Sequence, residues 1–328
     1  MKKVVISVLL MCCVAGVAVI SCKKVQSNPT TVTNSSQSLN QLFAGLRYTP
    51  QGLSVQAGRD TVVYGANGTM LHFYTNSFMD VNHNILTSGI VNLQLIEMYK
   101  PVDYICNRTS TIAGNSLLNS GGEISLTGTM NGQAVYANKY GVGFVQTSAS
   151  TDTMQLFYGG TNTADSVTTW TASNNTIGTV KVGTDTPYHA YEPPTNSPYY
   201  IFDSCVGFGQ VNCDYFYRGN FSSVWTDMTV IMPNGNFNSG NTQIFFVYLP
   251  EKWSIPVSLY DTTTNSFSLN YHGTQVPVGV NFELVAITNN NGSWYYYQTS
   301  GTTTSGMTIN AAMGADTKAD VLTRLGGL

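Results

Sequence analysis

The sequence predicts an all-β protein: two β-sandwich-like modules that follow a signal peptide and a flexible tether, with a short C-terminal helix. Three observations carry this. Charged residues make up 9% of the 328 positions, against the roughly 25% usual in soluble globular chains. Aromatics reach 12%, 20 of them tyrosine, and with Val, Ile and Thr they suit a pleated, half-buried surface. Asn, Thr, Ser and Gly take the remaining polar positions, and their clusters supply turns between short runs of alternating polarity. The length leaves room for two modules with full cores.

The chain opens with Met1-Lys2-Lys3 and an apolar run from Val4 to Ile20. That run is short for a membrane span and right for the apolar region of an export signal. Val19-Ile20-Ser21-Cys22 resembles the lipobox of bacterial lipoproteins, in which a small residue admits the peptidase and the cysteine thiol takes the diacylglycerol. The resemblance implies a signal peptide over residues 1–21, cleavage before Cys22, and lipidation of Cys22. The membrane is then a partner held through that lipid. Lys23 follows Cys22, where an Asp would favour inner-membrane retention, so the expected address is the outer membrane, lipid-anchored and extracytoplasmic. Whether it faces the periplasm or the medium stays open.

Residues 22–50 are the expected tether. Lys23 to Gln37 is rich in Ser, Thr and Asn and contains Pro29, a flexible composition. Leu39, Leu42, Phe43 and Leu46 then recur at three- and four-residue spacings, which predicts a short helix over 38–46. Residues 51–146 are the first module. Thr61-Val62-Val63-Tyr64 and Thr69 to Tyr74 flank Gly65-Ala66-Asn67-Gly68 as a hairpin. Gly89 to Tyr99 alternates cleanly, as does Glu123 to Met130, and Asn131-Gly132 signals a tight turn. Gly141 to Val145 closes the module.

Residues 147–198 read as an irregular connector with short strands at Met154–Tyr158 and Ser166–Trp170. It ends at Glu192-Pro193-Pro194 and Pro198, which cannot supply ladder donors. The second module spans 199–300, with strands at Thr229–Met232, Gln243–Leu249, Phe282–Ile287 and Ser293–Tyr297. Residues 301–328 are a tail with one short helix, capped by Asp316 and stopped by Gly326-Gly327.

Gly65 to Phe78, Gly89 to Glu97 and Leu118 to Ile124 resemble an N-terminal module of uncharacterised lipoproteins of the Bacteroidetes cell envelope. That module is itself similar to the β-sandwich domain of ankyrins and netrin receptors. Met154 to Trp170, Gly209 to Asp214 and Val276-Pro277-Val278-Gly279 resemble later blocks of the same lipoproteins. Tyr74-Thr75 departs from the pattern, where relatives often carry Ile-Pro. The resemblance implies a β-sandwich and an envelope address and carries no catalytic residue. Asp60-Thr61-Val62, Asp152-Thr153-Met154, Asp165-Ser166-Val167 and Asp261-Thr262-Thr263 resemble the short O-glycosylation acceptor of that phylum.

The six cysteines reduce to three in the mature part: Cys106, Cys205 and Cys213. Cys205 and Cys213 flank Gly207 and Gly209, so a disulfide between them and a pair of buried free thiols both stay open. The cysteine spacing matches no zinc site. His72, His83, His189 and His272 are isolated in sequence. His72 falls in a strand, as a cross-strand residue would. His83 sits in the oxygen-rich run Asp80-Val81-Asn82-His83-Asn84, which lacks the Gly and distal Glu of a calcium loop and reads as a polar turn. No metal ligand set and no cofactor are expected. The net charge of -3, with 14 scattered basic residues, speaks against nucleic acid.

Three functions are carried forward. The first is a non-enzymatic outer-membrane lipoprotein that binds or scaffolds a protein or glycan. The second is a polysaccharide-binding accessory of a glycan-uptake system, with Trp294-Tyr295-Tyr296-Tyr297 as an aromatic platform. Packing between elements is the plainer reading of those four rings. The third, ranked last, is a glycoside hydrolase that uses Glu97 and Glu123 as paired carboxylates.

Overall fold

The computed structural model describes residues 35–146, 153–161, 167–177, 179–181, 199–217, 224–234, 236–269 and 273–328. The expected signal peptide, Cys22 and the expected tether as far as 34 lie outside these, as do His189 and His272. The described chain is all-β with three short helices, and it carries the two expected sandwiches. Asn34–Leu328 forms one compact unit. No helix among the described residues is long and apolar enough to cross a membrane.

Helix α1 (Ser35–Leu46) comes first. Then follow β1 (Gln51–Gln56), β2 (Thr61–Tyr64), β3 (Met70–Phe73), β4 (Phe78–Met79), β5 (Ile90–Met98), α2 (Pro101–Asn107), β6 (Ile112–Ala113), β7 (Ser116–Met130), β8 (Gln133–Ala137), β9 (Tyr140–Val145), β10 (Gln155–Thr161), β11 (Thr168–Ile177), β12 (Thr179–Lys181), β13 (Tyr199–Cys205) and β14 (Gly209–Phe216). These strands make the first sandwich. One sheet runs β1-β5-β7-β14-β10-β11, with β6 and β8 also paired to β7 and β4 paired to β8; the other runs β12-β13-β9-β3-β2. Between them Leu93, Leu95, Ile124, Leu126, Leu156 and Val211 meet Leu71, Phe73, Val142, Phe144 and Phe202. The alternation in β5, exposed at Ile90, Asn92 and Gln94 and buried at Val91, Leu93 and Leu95, is the period of a strand with one wet face. Asn131 and Gly132 both have positive φ, 52° and 77°, as the two-residue hairpin between β7 and β8 requires.

The second sandwich holds β15 (Trp225–Thr226), β16 (Met228–Ile231), β17 (Thr242–Tyr248), β18 (Trp253–Pro256), β19 (Leu259–Asp261), β20 (Ser266–Ser268), β21 (Val276–Pro277), β22 (Asn281–Asn290), β23 (Ser293–Thr302), β24 (Met307–Asn310) and β25 (Gly314–Asp316), and ends in α3 (Lys318–Leu325). Its sheets run β18-β17-β22-β23-β25 and β19-β20-β16-β24. The pairing of β24 with β16 is parallel. Strands β17 and β22 of the five-stranded sheet are buried on both faces. Ile244, Phe246, Leu284 and Ala286 face the other sheet. Phe245, Val247, Val285 and Ile287 face a layer of helices that contains Leu42, Phe43 and Leu46 of α1, Ile105 of α2, and Val321 and Leu325 of α3. Strands wetted on neither face read as continuous apolar runs, which explains the uninterrupted Ile244-Phe245-Phe246-Val247.

The module boundaries move. β10, β11 and β12 are integral strands of the first sandwich, so 147–198 is not simply a connector. β13 and β14 complete that sandwich, which places the boundary after Tyr217 rather than at 199. α1 belongs to the second sandwich's helical layer and not to a tether. The 301–328 tail supplies β24, β25 and α3. The N-cap of α3 is Thr317, whose side chain accepts from the Asp320 amide, one residue after the expected Asp316. Asp316 instead pairs with Arg324 at 3.0 Å. α2 was not expected from the sequence. Seven residues give no periodicity to read, and its marks are Pro101 in the first turn and Asp103, whose carboxylate accepts the Tyr99 and Lys100 amides at 2.8 and 2.9 Å.

Candidate functional site

Glu97 and Glu123 stand on neighbouring strands but on opposite faces of one sheet. Glu97 pairs with Ile124 and Met98 with Glu123, and the two-residue period sends Glu97 inward with Leu95 and Glu123 outward with Met98. The two carboxylates therefore cannot flank one glycosidic bond. Glu97 is committed to the β2–β3 turn. It accepts the Asn67 and Thr69 amides, each at 2.8 Å, and the Gln51 amide at 2.6 Å. A Cβ on Gly65 would lie 2.4 Å from that carboxylate, so the turn needs glycine there.

Glu123 belongs to a polar cluster enclosed between the first sandwich, α2 and the β17–β18 turn. Its cross-strand partner is Asn212, and Asp214, two residues along β14, lies opposite Ser120. Glu123, Asn212 and Asp214 are fully buried. Thr109 donates to Glu123 Oε2 at 2.6 Å, the Asn212 amide donates to Asp214 Oδ2 at 2.5 Å, and Tyr104 donates to Ser120 at 2.9 Å. Burial, with the nearby Asp214 charge adding to it, holds the Glu123 carboxyl well above the usual range. Burial likewise pushes the Asp214 carboxyl up to about 8, partly offset by Ser120, Asn212 and the Gly121 amide. Lys252 faces the cluster from the β17–β18 turn; burial lowers its own pKa, and Asp214 works against that.

The aromatic run of β23 is not an exposed platform. Strand alternation divides it between two covered faces. Tyr296 is buried in the helical layer, where its ring lies 5.6 Å from the Arg324 guanidinium. Trp294 packs in that same layer, 3.1 Å from where a Cβ on Gly45 would lie. Tyr295 and Tyr297 pack against the inter-sheet core, Tyr295 edge-on to Phe237 at 5.2 Å. Trp294 and Tyr295 also border an open depression of about 450 Å³ with Asp316 and Lys318.

Cys205 and Cys213 are free and buried, as is Cys106. Of the two arrangements left open for Cys205 and Cys213, the structure has the pair of buried free thiols. Cys205 ends β13 in one sheet and Cys213 lies in β14 of the sheet facing it, and both thiols are buried in the core between the sheets. Burial pushes the Cys106 thiol up to about 12 and the other two higher still. His72 is a cross-strand residue: Nε2 meets Asp60 at 2.8 Å and the ring lies 4.4 Å from Tyr74. The run around His83 is a polar turn closed on itself, with Asp80 accepting from the Asn82 and Asn84 amides at 2.8 and 2.9 Å. Among the described residues no three His, Cys, Asp or Glu side chains come together as a metal site.

A cleft that sequence reasoning missed lies where α1 and α2 meet the outer face of the first sandwich. It holds about 400 Å³ and is lined by Asn40, Phe43, Arg47, Asn107, Arg108 and Gln210 among others. Arg108 caps α2 in a left-handed conformation, φ 60°, stacks 4.4 Å over Phe43 and donates to Asn40 at 3.2 Å. Thr168 donates to Gln210 at 2.7 Å. The residues come from four separate segments of the chain, so no local motif announces them. No protein family, curated protein or solved structure matches the chain.

Proposed function

We propose that this chain is a non-enzymatic lipoprotein of the Bacteroidetes outer membrane, anchored through Cys22, whose folded part binds a protein or glycan partner. The cleft under α1 is the observation that carries the binding. Concave sites with a few convergent polar groups are where ligands settle. Here two guanidinium groups and three side-chain amides surround one aromatic ring, a lining that offers many hydrogen bonds to a hydroxyl-rich ligand. That lining favours a glycan, and with it the role of a polysaccharide-binding accessory in glycan uptake. The lipobox-like Val19-Ile20-Ser21-Cys22 supports the address.

Two measurements test this reading. Surface protease shaving of native cells should cleave the wild-type protein or leave it protected on the membrane, while Cys22→Ala releases or mislocalises it; an unchanged location for Cys22→Ala sinks the anchor. A glycan array should show binding that Arg47→Glu and Asn40→Ala abolish. A blank array removes the glycan, and binding indifferent to both substitutions removes the cleft.

A further inference from the structure

In the cleft under α1 the amide oxygens are engaged with the protein's own side chains, and N–H groups are what remains for a ligand. Asn40 Oδ1 accepts from the Arg108 guanidinium at 3.2 Å, and Gln210 Oε1 accepts from the Thr168 hydroxyl at 2.7 Å. Asn107 donates its amide nitrogen to the Asp103 carbonyl at 2.8 Å, and its Oδ1 is sealed from solvent, as far from a ligand's reach as from water's. Exchanging nitrogen and oxygen in Asn40 would set two donors against each other, and in Asn107 two acceptors, so both orientations are fixed by their partners. The Asn40 and Gln210 amide nitrogens remain, each with two N–H donors. Arg47 adds a fork of five more and a charge that is never titrated away. It is exposed and lines the cleft. Among the described residues ion pairs join His72 to Asp60 and Arg324 to Asp316, and Arg47 is in neither. No described residue of the lining is acidic.

A sugar hydroxyl donates as well as accepts, and this lining is poor in places for its proton. A carboxylate accepts only, and its two oxygens match the planar guanidinium fork with parallel, charge-assisted hydrogen bonds. We infer that the glycan taken by this cleft is an acidic one, a uronic-acid polysaccharide, whose carboxylate pairs with Arg47 and whose other oxygens take the Asn40 and Gln210 amide donors. The inference rests on the glycan reading above and narrows it from sugars at large to those that carry a carboxylate. Arg108, stacked 4.4 Å over Phe43, holds the Asn40 amide in orientation and acts as a positioning residue. The whole chain has a net charge of -3, so the attraction is confined to the cleft and is not that of a generally basic surface.

The test is titration calorimetry on the purified full chain. The probes are oligosaccharides of polygalacturonate, alginate and hyaluronan, each beside its carboxyl-reduced counterpart, with neutral starch and xylan oligosaccharides for comparison. At least one acid should bind, its reduced form should bind about tenfold more weakly or worse, and added salt should weaken the acid alone. Arg47→Gln should cost about the same factor, and Arg47→Lys, which keeps the charge and loses the fork, should fall between. Arg47 is exposed, so both variants should melt with the wild type, and a loss of binding then reports the contact. Acids and their reduced forms bound equally, or neutral sugars alone bound, would overturn the acidic ligand and leave the glycan reading standing. An acid bound as tightly by Arg47→Gln as by the wild type would overturn it too. No binding of any sugar would take down the glycan reading and this inference together.

Discussion

Glu97 holds the β2–β3 turn through two backbone amides and Gln51, so its role is structural. Glu97→Gln replaces an acceptor oxygen with a donor that faces those amides. We expect a loss of about 1–3 kcal/mol, read as a lower urea midpoint with an unchanged slope. The three thiols among the described residues make a second prediction. Reactivity requires the thiolate, and burial keeps Cys106, Cys205 and Cys213 in the thiol form. In the native protein at pH 8 they should resist alkylation, and after unfolding all three should react. A peptide that joins Cys205 to Cys213 in unreduced mass mapping would contradict the free pair. At this scale the sequence showed which residues were unusual but not what they face. Glu97 and Glu123 look alike as acids on alternating strands, and only the strand pairing puts them on opposite sides of the sheet.

The hydrophobic stripe of α1 is legible in the sequence, while its docking site is not. Leu39, Leu42, Phe43 and Leu46 mark one face of a helix, and that face packs on β17 and β22, some 200 residues on in sequence. Leu42 is fully buried there. Leu42→Ala should cost about 2–5 kcal/mol, measured by chemical denaturation; a loss near zero would mean that α1 is a dispensable extension. The aromatic run of β23 teaches the same point. Four rings in succession must occupy both faces of a strand, and the choice between exposed platform and packing depends on whether another layer covers each face. Here helices cover one face and the second sheet covers the other, and Tyr296 is 6% exposed.

The two sandwiches are joined by buried contacts. Trp253 donates to Asn119 at 2.9 Å, and the backbone of Ser254 exchanges hydrogen bonds with Thr111, each at 3.0 Å. Ile112 and Leu117, from the first sandwich's strands, sit in the core of the second. The pieces should therefore unfold together. Calorimetry should show one transition whose calorimetric and van't Hoff enthalpies agree. Two resolved transitions would make the junction a loose one.

By itself the sequence determined the all-β class, the hairpin at Asn131-Gly132, the helical stripe of α1 and the lipobox-like start. Each of these is written in composition or in the spacing of neighbouring residues, where period and turn chemistry act over a few positions. The tertiary structure decided that β10 to β14 complete the first sandwich and that α1 roofs the second. It also decided that Arg47, Arg108 and Gln210 line one cleft and that Glu123, Asn212 and Asp214 are buried together on β7 and β14. These depend on which strands pair and which faces are covered. Strand order is set by burial across the whole chain, and a period of two says only that a face exists, not what will lie against it.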